Sequence, residues 1–390
     1  MMEANSKNSR KIAKGIAILF LIFFVGGIGG VYFDQQVLPF IRTNKYLSRI
    51  NFLNRTAENV TVINKTQQVT IKEDDSINEI ASQTSNAVVN IVSIATQKDP
   101  LTKIAKTANQ SGTGIIVTSD GLIATYRGAI IEKDADYQAF LFNGNYYQAS
   151  LVGIDEFSDL AFLKIDAPNL TAVSFADSSD IHPGKKLVAI GNSFGEYQNR
   201  YEAGLLSNIN KTFNLGGKTV AISEKLEGVF EDDFKNRKEY IGGPVIGYSG
   251  DVIGIIGALT INGQDQYFEI PSNVVKNSID LVIKDELASR PFLGAYYISI
   301  SKEYSIANKL DRDQGALIYS PSEKQGLAVI SGSPAENAGI KINDIIISVN
   351  GQEINLDNPF SNLINQNKKG DLVELTVDRN GQEIKIPVQL

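Results

Sequence analysis

The stretch SGTGIIVTSDGLIAT at residues 111–125 has the pattern of an antiparallel β-hairpin. An Asp-Gly pair, Asp120-Gly121, separates two hydrophobic runs, and this is one of the strongest short-range signals for a hairpin turn. Short strand-like runs with turn signals continue on both sides, and no long helical pattern interrupts them. The other predicted strands are residues 88–94, 139–142, 148–153, 160–165, 187–190 and 252–256. This spacing predicts an all-β barrel or sandwich rather than a parallel βαβ sheet.

A second, smaller unit is indicated from about residue 291 onward. Ser333-Pro-Ala-Glu336 is a capping box with proline at the first helical position. Asn350-Gly351 and Asn380-Gly381 are type I′ hairpin signals with an alternating strand between them. The run PFSNLINQN at residues 359–367 has the pattern of a short amphipathic helix. The C-terminal region is therefore predicted to be a small α+β domain.

The N-terminal region predicts a membrane anchor. Residues 15–33 carry no charge, and at about 1.5 Å per residue a helix of this length spans the hydrocarbon core of a bilayer. Basic residues within residues 1–14 place this end in the cytoplasm by the positive-inside rule, and the rest outside the cytoplasmic membrane. A cleaved signal peptide is the alternative, although no A-x-A-like site follows the apolar run. Residues 34–75 read as a stalk, either a juxtamembrane amphipathic helix or a solvated linker.

The composition excludes several kinds of chemistry. The net charge of -7 argues against nucleic-acid binding. The absence of cysteine excludes disulfide scaffolds, zinc–thiolate sites and thiol nucleophiles. The single histidine, His182, excludes polyhistidine metal sites and leaves one candidate for imidazole-based catalysis. We expect neither a metal nor a cofactor.

The motifs together resemble the HtrA/Deg family of trypsin-like serine proteases with PDZ domains. The resemblance runs from about residue 76 to residue 390, and the motifs stand in family order. They are SGTGIIVTSDG at 111–121, DEFSDLAFLKID at 155–166, VAIGNSFG at 188–195, GGPV at 242–245, IPSNV at 270–274, FLGA at 292–295 and GSPAENAG at 332–339. The resemblance implies a mainly β fold: a trypsin-like double β-barrel over residues 76–288 and a PDZ domain over residues 289–390. An anchor with a single PDZ domain resembles the layout of the family's envelope-stress sensor proteases.

The resemblance also assigns the catalytic positions. The general-base histidine of the family corresponds to Gly128, its aspartate to Asp159 and its nucleophilic serine to Ile241, so only Asp159 matches. Serine proteolysis needs a hydroxyl that attacks, a base that takes its proton and a carboxylate that orients the base. Glu239 replaces the glycine of the oxyanion loop and brings a negative charge toward the place where another would develop. We therefore expect a proteolytically inactive protein with no intact catalytic triad.

Other catalytic groups leave alternatives open. His182 lies in a predicted turn, where an exposed histidine is the expected interpretation, and Ser249 lies in another turn. A Ser–Lys dyad with Lys235 or Lys238 would need no histidine. An active serine-type endopeptidase with a non-standard nucleophile or base is thus the second hypothesis. In the main hypothesis, Asp159 hydrogen-bonds backbone amides or pairs with Arg127.

The PDZ-like unit predicts peptide binding. A PDZ groove adds an extended peptide to a sheet edge, while backbone amides hold the terminal carboxylate. The loop before the edge strand supplies the amides, and a short helix faces the terminal side chain. The residues that the resemblance assigns to the peptide are Phe292, Leu293, Gly294, Ala295, Phe360, Leu363 and Ile364. The alternative is a groove that is occluded or packs on the protease-like domain.

The main functional hypothesis is a membrane-anchored, inactive HtrA-like protein in extracytoplasmic quality control or scaffolding. Its expected partners are C-terminal or extended peptides and unfolded proteins, with the membrane contacted through the N-terminal helix. Association into a homotrimer or with an active paralogue follows from the family resemblance. The third hypothesis is a structural assembly subunit without a peptide ligand.

Overall fold

A computed structural model of the protein describes most of the chain beyond residue 84. The described residues are 15, 18, 21, 22, 25–27, 29, 30, 82, 84–98, 105–192, 198–217, 220–322 and 325–390. None of the helices formed by these residues is long and apolar enough to span a bilayer. Most of the anchor predicted over residues 15–33, and all of the stalk predicted over residues 34–75, lie outside the described residues. The chain divides into the units Met1–Asp74 and Asp75–Leu390, of which the second is described below.

The first barrel contains the hairpin that the sequence predicts. Its strands are β1 (Val88–Lys98), β2 (Ala105–Ile116), β3 (Leu122–Tyr126), β4 (Ala135–Leu141), β5 (Tyr146–Asp155) and β6 (Leu160–Ile165). They close in the order β1-β2-β3-β6-β5-β4. Gly121 turns between β2 and β3 with a φ of +96°, and a Cβ there would lie 2.2 Å from the Ile165 carbonyl oxygen. Only glycine fits this turn, so the predicted hairpin is confirmed together with its physical reason.

The second barrel follows directly and carries a long strand that was not predicted. Its strands are β7 (Lys186–Gly191), β8 (Arg200–Asn214), β10 (Glu227–Asp232), β11 (Pro244–Gly247), β12 (Val252–Ile261) and β13 (Gln264–Pro271). They close in the order β10-β13-β12-β11-β7-β8. Between β8 and β10 the chain leaves the barrel and forms a two-residue strand, β9 (Ala221–Ile222). Helix α1 (Ser272–Ile283) follows β13.

The C-terminal unit is a mixture of strands and short helices. Its elements are β14 (Tyr296–Ser299), α2 (Lys302–Asn308), β15 (Ala316–Ile318), α3 (Gln325–Ala328), α4 (Pro334–Asn337), β16 (Ile345–Val349), β17 (Gln352–Glu353), α5 (Phe360–Ile364), β18 (Leu372–Arg379) and β19 (Gln382–Gln389). The sheet runs β19-β18-β16-β15-β14-β9, with β17 beside β16. Strand β9, which comes from the region between barrel strands, is thus the outermost strand of the C-terminal sheet.

The predicted local signals of this unit are present. Ser333 Oγ accepts a hydrogen bond from the Glu336 amide at 3.2 Å and caps α4. Asn350 and Asn380 both have positive φ, as type I′ turns require. The fold is therefore mainly β, with two barrels followed by a small α+β domain, as the sequence predicts.

A buried ion pair joins the first barrel to the start of the C-terminal unit. Asp155 is fully buried, and both of its carboxylate oxygens accept hydrogen bonds from Arg290, at 2.6 Å and 3.2 Å. The Ser158 and Ser278 hydroxyls donate to the same carboxylate at 3.0 Å and 2.6 Å. Burial alone would raise the pKa of Asp155, but the charge of Arg290 and these hydrogen bonds outweigh it and hold the pKa below its usual range. The pair therefore fixes α1, β5 and residue 290 to one another.

Removing the charge of Asp155 should show how much this ion pair contributes to the free energy of unfolding. We expect Asp155→Asn to lower the free energy of unfolding by about 3 kcal/mol, because Arg290 would stay largely buried without its counter-charge. Urea titration followed by circular dichroism measures the change. The matched control is Glu374→Gln, whose exposed pair with Lys385 should contribute less than about 0.5 kcal/mol. Equal effects of the two substitutions would contradict a structural role for the buried pair.

Candidate functional site

The segments that carry the three predicted triad positions meet in one place. Gly128 lies in a short 3₁₀ turn directly after β3, Asp159 lies immediately before β6, and Ile241 follows a 3₁₀ turn that precedes β11. The Arg127 amide donates to the Asp159 carbonyl at 2.7 Å, and the Thr113 amide donates to the Ile241 carbonyl at 3.1 Å. The fold therefore builds the framework of a catalytic cleft from these segments.

Gly128, the position predicted for the general base, is closed by a neighbouring ring. Gly128 is exposed, but a Cβ added to it would lie 2.6 Å from Cε1 of Tyr126. Tyr126 is itself buried, and its hydroxyl donates to the Ala258 carbonyl at 2.6 Å. Since this ring is buried and hydrogen-bonded, a side chain at residue 128 would need it to move. Residue 128 therefore offers neither an imidazole nor the space directly beside its backbone for one.

The residues predicted at the nucleophile position and in the oxyanion loop do not offer the groups that proteolysis needs. Ile241 has no hydroxyl, and its side chain is partly buried against the core that the two barrels share. The Glu239 amide donates to the Asn236 carbonyl at 2.9 Å, so it is used within its own turn. The Glu239 carboxylate accepts a hydrogen bond from Arg200 at 2.8 Å. An oxyanion hole needs amides that point at the reacting oxygen, and here the amide at residue 239 is already hydrogen-bonded.

Asp159, the predicted triad aspartate, is paired with a lysine. Lys225 Nζ lies 2.6 Å from Asp159 Oδ1 and also donates to the Glu156 carbonyl at 2.6 Å. Arg127 Nη1 stands farther from the same carboxylate oxygen, at 3.7 Å. Burial raises the pKa of Asp159, and the positive charges of Lys225 and Arg127 offset this only in part. Arg127 is a partner that the sequence predicts, whereas Lys225 is not, because no local pattern links residue 225 to residue 159.

The other catalytic candidates lie on the surface. His182 is exposed in a turn that is closed by the Lys185 amide, and Ser249 is exposed in the turn between β11 and β12. Lys235 and Lys238 are exposed as well. Lys225 Nζ donates to a carboxylate and a carbonyl rather than to a hydroxyl. Among the described residues, this placement supports no Ser–Lys arrangement in the cleft.

The groove between β14 and α5 is filled by the chain itself. Residues 221–227, which we call the strap, run along β14, with Ile222 opposite Tyr296 and Ala221 opposite Tyr297. The Ser223 amide donates to the Ala295 carbonyl at 3.0 Å, which continues the ladder by one residue. Ser223 Oγ accepts in return from the Ala295 amide at 3.0 Å. The strap thus pairs with the edge strand as an added peptide would.

The loop before β14 binds a carboxylate that belongs to the strap. The amides of Leu293 and Gly294 donate to Glu224 Oε1 at 2.9 Å and 2.8 Å. Gly294 has a φ of +81°, and a Cβ there would lie 2.4 Å from Ser333 Cβ, so this loop requires glycine. Phe292 is exposed beside the loop. The predicted carboxylate-binding geometry is present, but its occupant is a glutamate side chain of the same chain.

The helix side of the groove also contacts the strap. Phe360, Leu363 and Ile364 are buried in the core cluster that includes Ala221 of the strap. Asn365 Nδ2 donates to the Ser223 carbonyl at 3.3 Å. The alternative of an occluded groove therefore describes this structure. The role of the seven predicted groove residues toward an added peptide stays a prediction.

Comparison with known proteins places these features in a family. Residues 112–255 match the trypsin-like peptidase domain, and residues 298–390 match the PDZ domain. A probable periplasmic serine endoprotease, DegP-like, from Chlamydia muridarum is 34% identical over 281 residues, which cover 71% of this chain and 53% of that protein. The serine protease Do-like HtrA from Bacillus subtilis is 28% identical over 341 residues, covering 82% of this chain and 74% of that protein.

Solved structures agree on the fold. The HtrA-type protease AlgW with a decapeptide covers 81% of this chain and 97% of its own, with a TM-score of 0.59 and 22% identity. A serine endoprotease from Yersinia pestis gives a TM-score of 0.53 over 80% of this chain and 96% of its own, also at 22% identity. The chain belongs to the HtrA/Deg family. It spans about half the length of the first DegP-like relatives that it matches.

A second acidic residue ties the strap to the PDZ domain of this HtrA/Deg chain. Glu227 is fully buried, and it accepts hydrogen bonds from the Tyr297 hydroxyl, at 2.6 Å, and from the Ser299 hydroxyl. Asn362 of α5 adds bonds to the backbone of Glu227 on the other side. Burial raises the pKa of Glu227 from 4.5 to about 7, and the two hydroxyl donors offset this in part. The carboxyl group is therefore protonated in the folded state at mildly acidic pH.

This raised pKa predicts a pH dependence of stability with a defined sign. Between pH 4.5 and about 7 the folded state keeps a proton that the unfolded chain has released, so stability falls as the pH rises through that window. At about 1.4 kcal/mol per pKa unit the loss amounts to about 3 kcal/mol. We expect Glu227→Gln to flatten this part of the curve of unfolding free energy against pH, whereas the exposed Glu353→Gln should leave it unchanged. Parallel curves for the wild type and Glu227→Gln would contradict the assignment.

Proposed function

We propose that this protein is a proteolytically inactive member of the HtrA/Deg family that binds peptide carboxyl termini and exposed segments of unfolded proteins through its PDZ domain. The proposed lack of proteolytic activity rests on the residues of the cleft. The family resemblance assigns the three triad positions to Gly128, Asp159 and Ile241, so neither the attacking serine nor the histidine base of the family would stand beside the carboxylate. In a comparable hydrolase, loss of nucleophile or base lowers the rate by about 10⁶-fold.

The second half of the proposal rests on the loop before β14. Two of its amides bind a carboxylate oxygen at 2.8–2.9 Å, and its edge strand accepts a partner strand. These are the two interactions by which a PDZ groove holds a peptide terminus. The AlgW structures carry a decapeptide or a tripeptide, which supports a peptide ligand for this chain as well.

The place of action that we propose is outside the cytoplasmic membrane. The relatives named periplasmic endoproteases support this compartment. A signal-anchor at residues 15–33, with residues 1–14 in the cytoplasm, would keep the protein at the membrane. A homotrimer, or an assembly with an active paralogue, would bring the bound peptide to a working protease. In that setting the protein acts in extracytoplasmic quality control or as a scaffold.

The inactive cleft is tested by hydrolysis of fluorescent casein by the full chain. We expect no turnover above the buffer rate, and the double substitution Gly128→His, Ile241→Ser should not restore it. Tyr126 closes the space beside residue 128, Lys225 occupies the Asp159 carboxylate, and the Glu239 amide is hydrogen-bonded to Asn236. Turnover by the wild type that a serine-directed inhibitor abolishes would overturn the proposal and favour a non-standard nucleophile.

Peptide binding is tested with fluorescein-labelled decapeptides ending in Phe, Leu or Val. The free acids should bind the full chain at least about tenfold more tightly than the same peptides with amidated termini, because hydrogen bonds to a charged group contribute about 1.5–3 kcal/mol. Fluorescence polarisation measures both affinities. Equal binding of acids and amides would overturn recognition of the carboxylate by this groove, and no binding in any condition would favour a structural subunit without a peptide ligand.

A further inference from the structure

Residues 221–224 of the strap make the contacts that are expected of the carboxyl terminus of a bound peptide. The strap backbone pairs with β14 through Ala221 and Ile222, and Ser223 continues the ladder to Ala295. The next residue, Glu224, turns its side-chain carboxylate into the loop where a terminal carboxylate is expected. A peptide and the strap would therefore need the same amides and the same strand edge.

The fit of Glu224 is incomplete. Oε1 accepts both amide hydrogen bonds, whereas Oε2 is buried and has no hydrogen-bond partner among the described residues. A buried oxygen of this kind costs free energy, because it has lost water without gaining a donor. The internal carboxylate is thus a weaker occupant than one whose two oxygens are both satisfied.

The strap is held on its barrel side by contacts that need no PDZ domain. Lys225 Nζ binds Asp159 and the Glu156 carbonyl, and the Leu226 amide donates to the Phe157 carbonyl at 2.8 Å. Because these contacts hold residue 225 in place, Glu224 stays near the loop even when the loop releases it. Tethering of this kind gives a ligand a high effective concentration.

We propose that residues 221–224 are an internal competitive ligand of the PDZ groove, and that a peptide with a free carboxyl terminus binds only when it displaces Glu224. This inference rests on the proposed function and adds its regulation. The groove is then closed by default, and the measured affinity for a peptide equals the intrinsic affinity reduced by the fraction of molecules whose groove is open. Weakening the strap should tighten peptide binding without changing any residue of the groove.

The first test replaces the competing charge. Glu224→Gln keeps the shape of the side chain but weakens the hydrogen bonds that Oε1 accepts, since charged acceptors bind about twice as strongly as neutral ones. We expect the full-length variant to bind the free-acid decapeptides about tenfold more tightly than the wild type does. The matched control Glu353→Gln, an exposed residue of β17, should bind like the wild type.

The second test locks the strap in place. Ile222 and Tyr296 face each other across β9 and β14, and the Ser223–Ala295 hydrogen bond places them at a non-hydrogen-bonded position of the ladder. Cα atoms at such positions lie about 4.5 Å apart, within the range that a disulfide spans. The chain has no native cysteine, so Ile222→Cys with Tyr296→Cys introduces a single pair. The oxidised form should not bind peptide, and reduction should restore binding.

The outcomes separate the inference from the proposed function. Tighter binding by Glu224→Gln, together with binding that is lost on oxidation and regained on reduction, supports both. Equal binding by the wild type, Glu224→Gln and the oxidised pair would overturn the internal competition while leaving peptide binding standing. No binding by any of these proteins, including Glu224→Gln and the reduced pair, would overturn the proposed function and the competition that rests on it.

Discussion

The structure depends on one short segment whose neighbouring side chains point to two different sites. Glu224 enters the carboxylate-binding loop of the PDZ domain, and Lys225 binds the carboxylate of Asp159 in the cleft. A buried carboxylate without a counter-charge is costly, so Asp159 needs a cation nearby. Lys225 supplies that cation and, in doing so, fixes where Glu224 can reach. The altered cleft and the filled groove are therefore parts of one arrangement.

The framework of the cleft does not depend on the side chains at the predicted triad positions. The backbone hydrogen bonds that join Thr113 to Ile241 and Arg127 to Asp159 hold the triad segments together. These bonds need no particular side chain, so the framework forms with glycine and isoleucine at the positions predicted for histidine and serine. Both positions are packed: Tyr126 lies where a side chain at residue 128 would begin, and Ile241 rests on the barrel core.

Local signals in the sequence predict much of the fold, but they do not predict the long-range contacts of the strap. The Asp120-Gly121 turn, the cap at Ser333 and the two Asn-Gly turns each depend on residues within a few positions, and all are present. Strand β8 was missed because its exposed and buried residues do not alternate cleanly. Gly294 donates a hydrogen bond to Glu224 and Lys225 donates one to Asp159, which joins residues about seventy positions apart, and no periodicity encodes such a pairing.

Amide hydrogen exchange of the full chain tests the central claim most directly, since the amides of Leu293, Gly294 and Ala295 all donate to the strap. We predict that these amides exchange as slowly as those inside β14, and that Glu224→Gln accelerates the exchange at residues 293 and 294. Exchange at the rate of an exposed loop in the wild type would contradict the account, because the strap would then not occupy the groove.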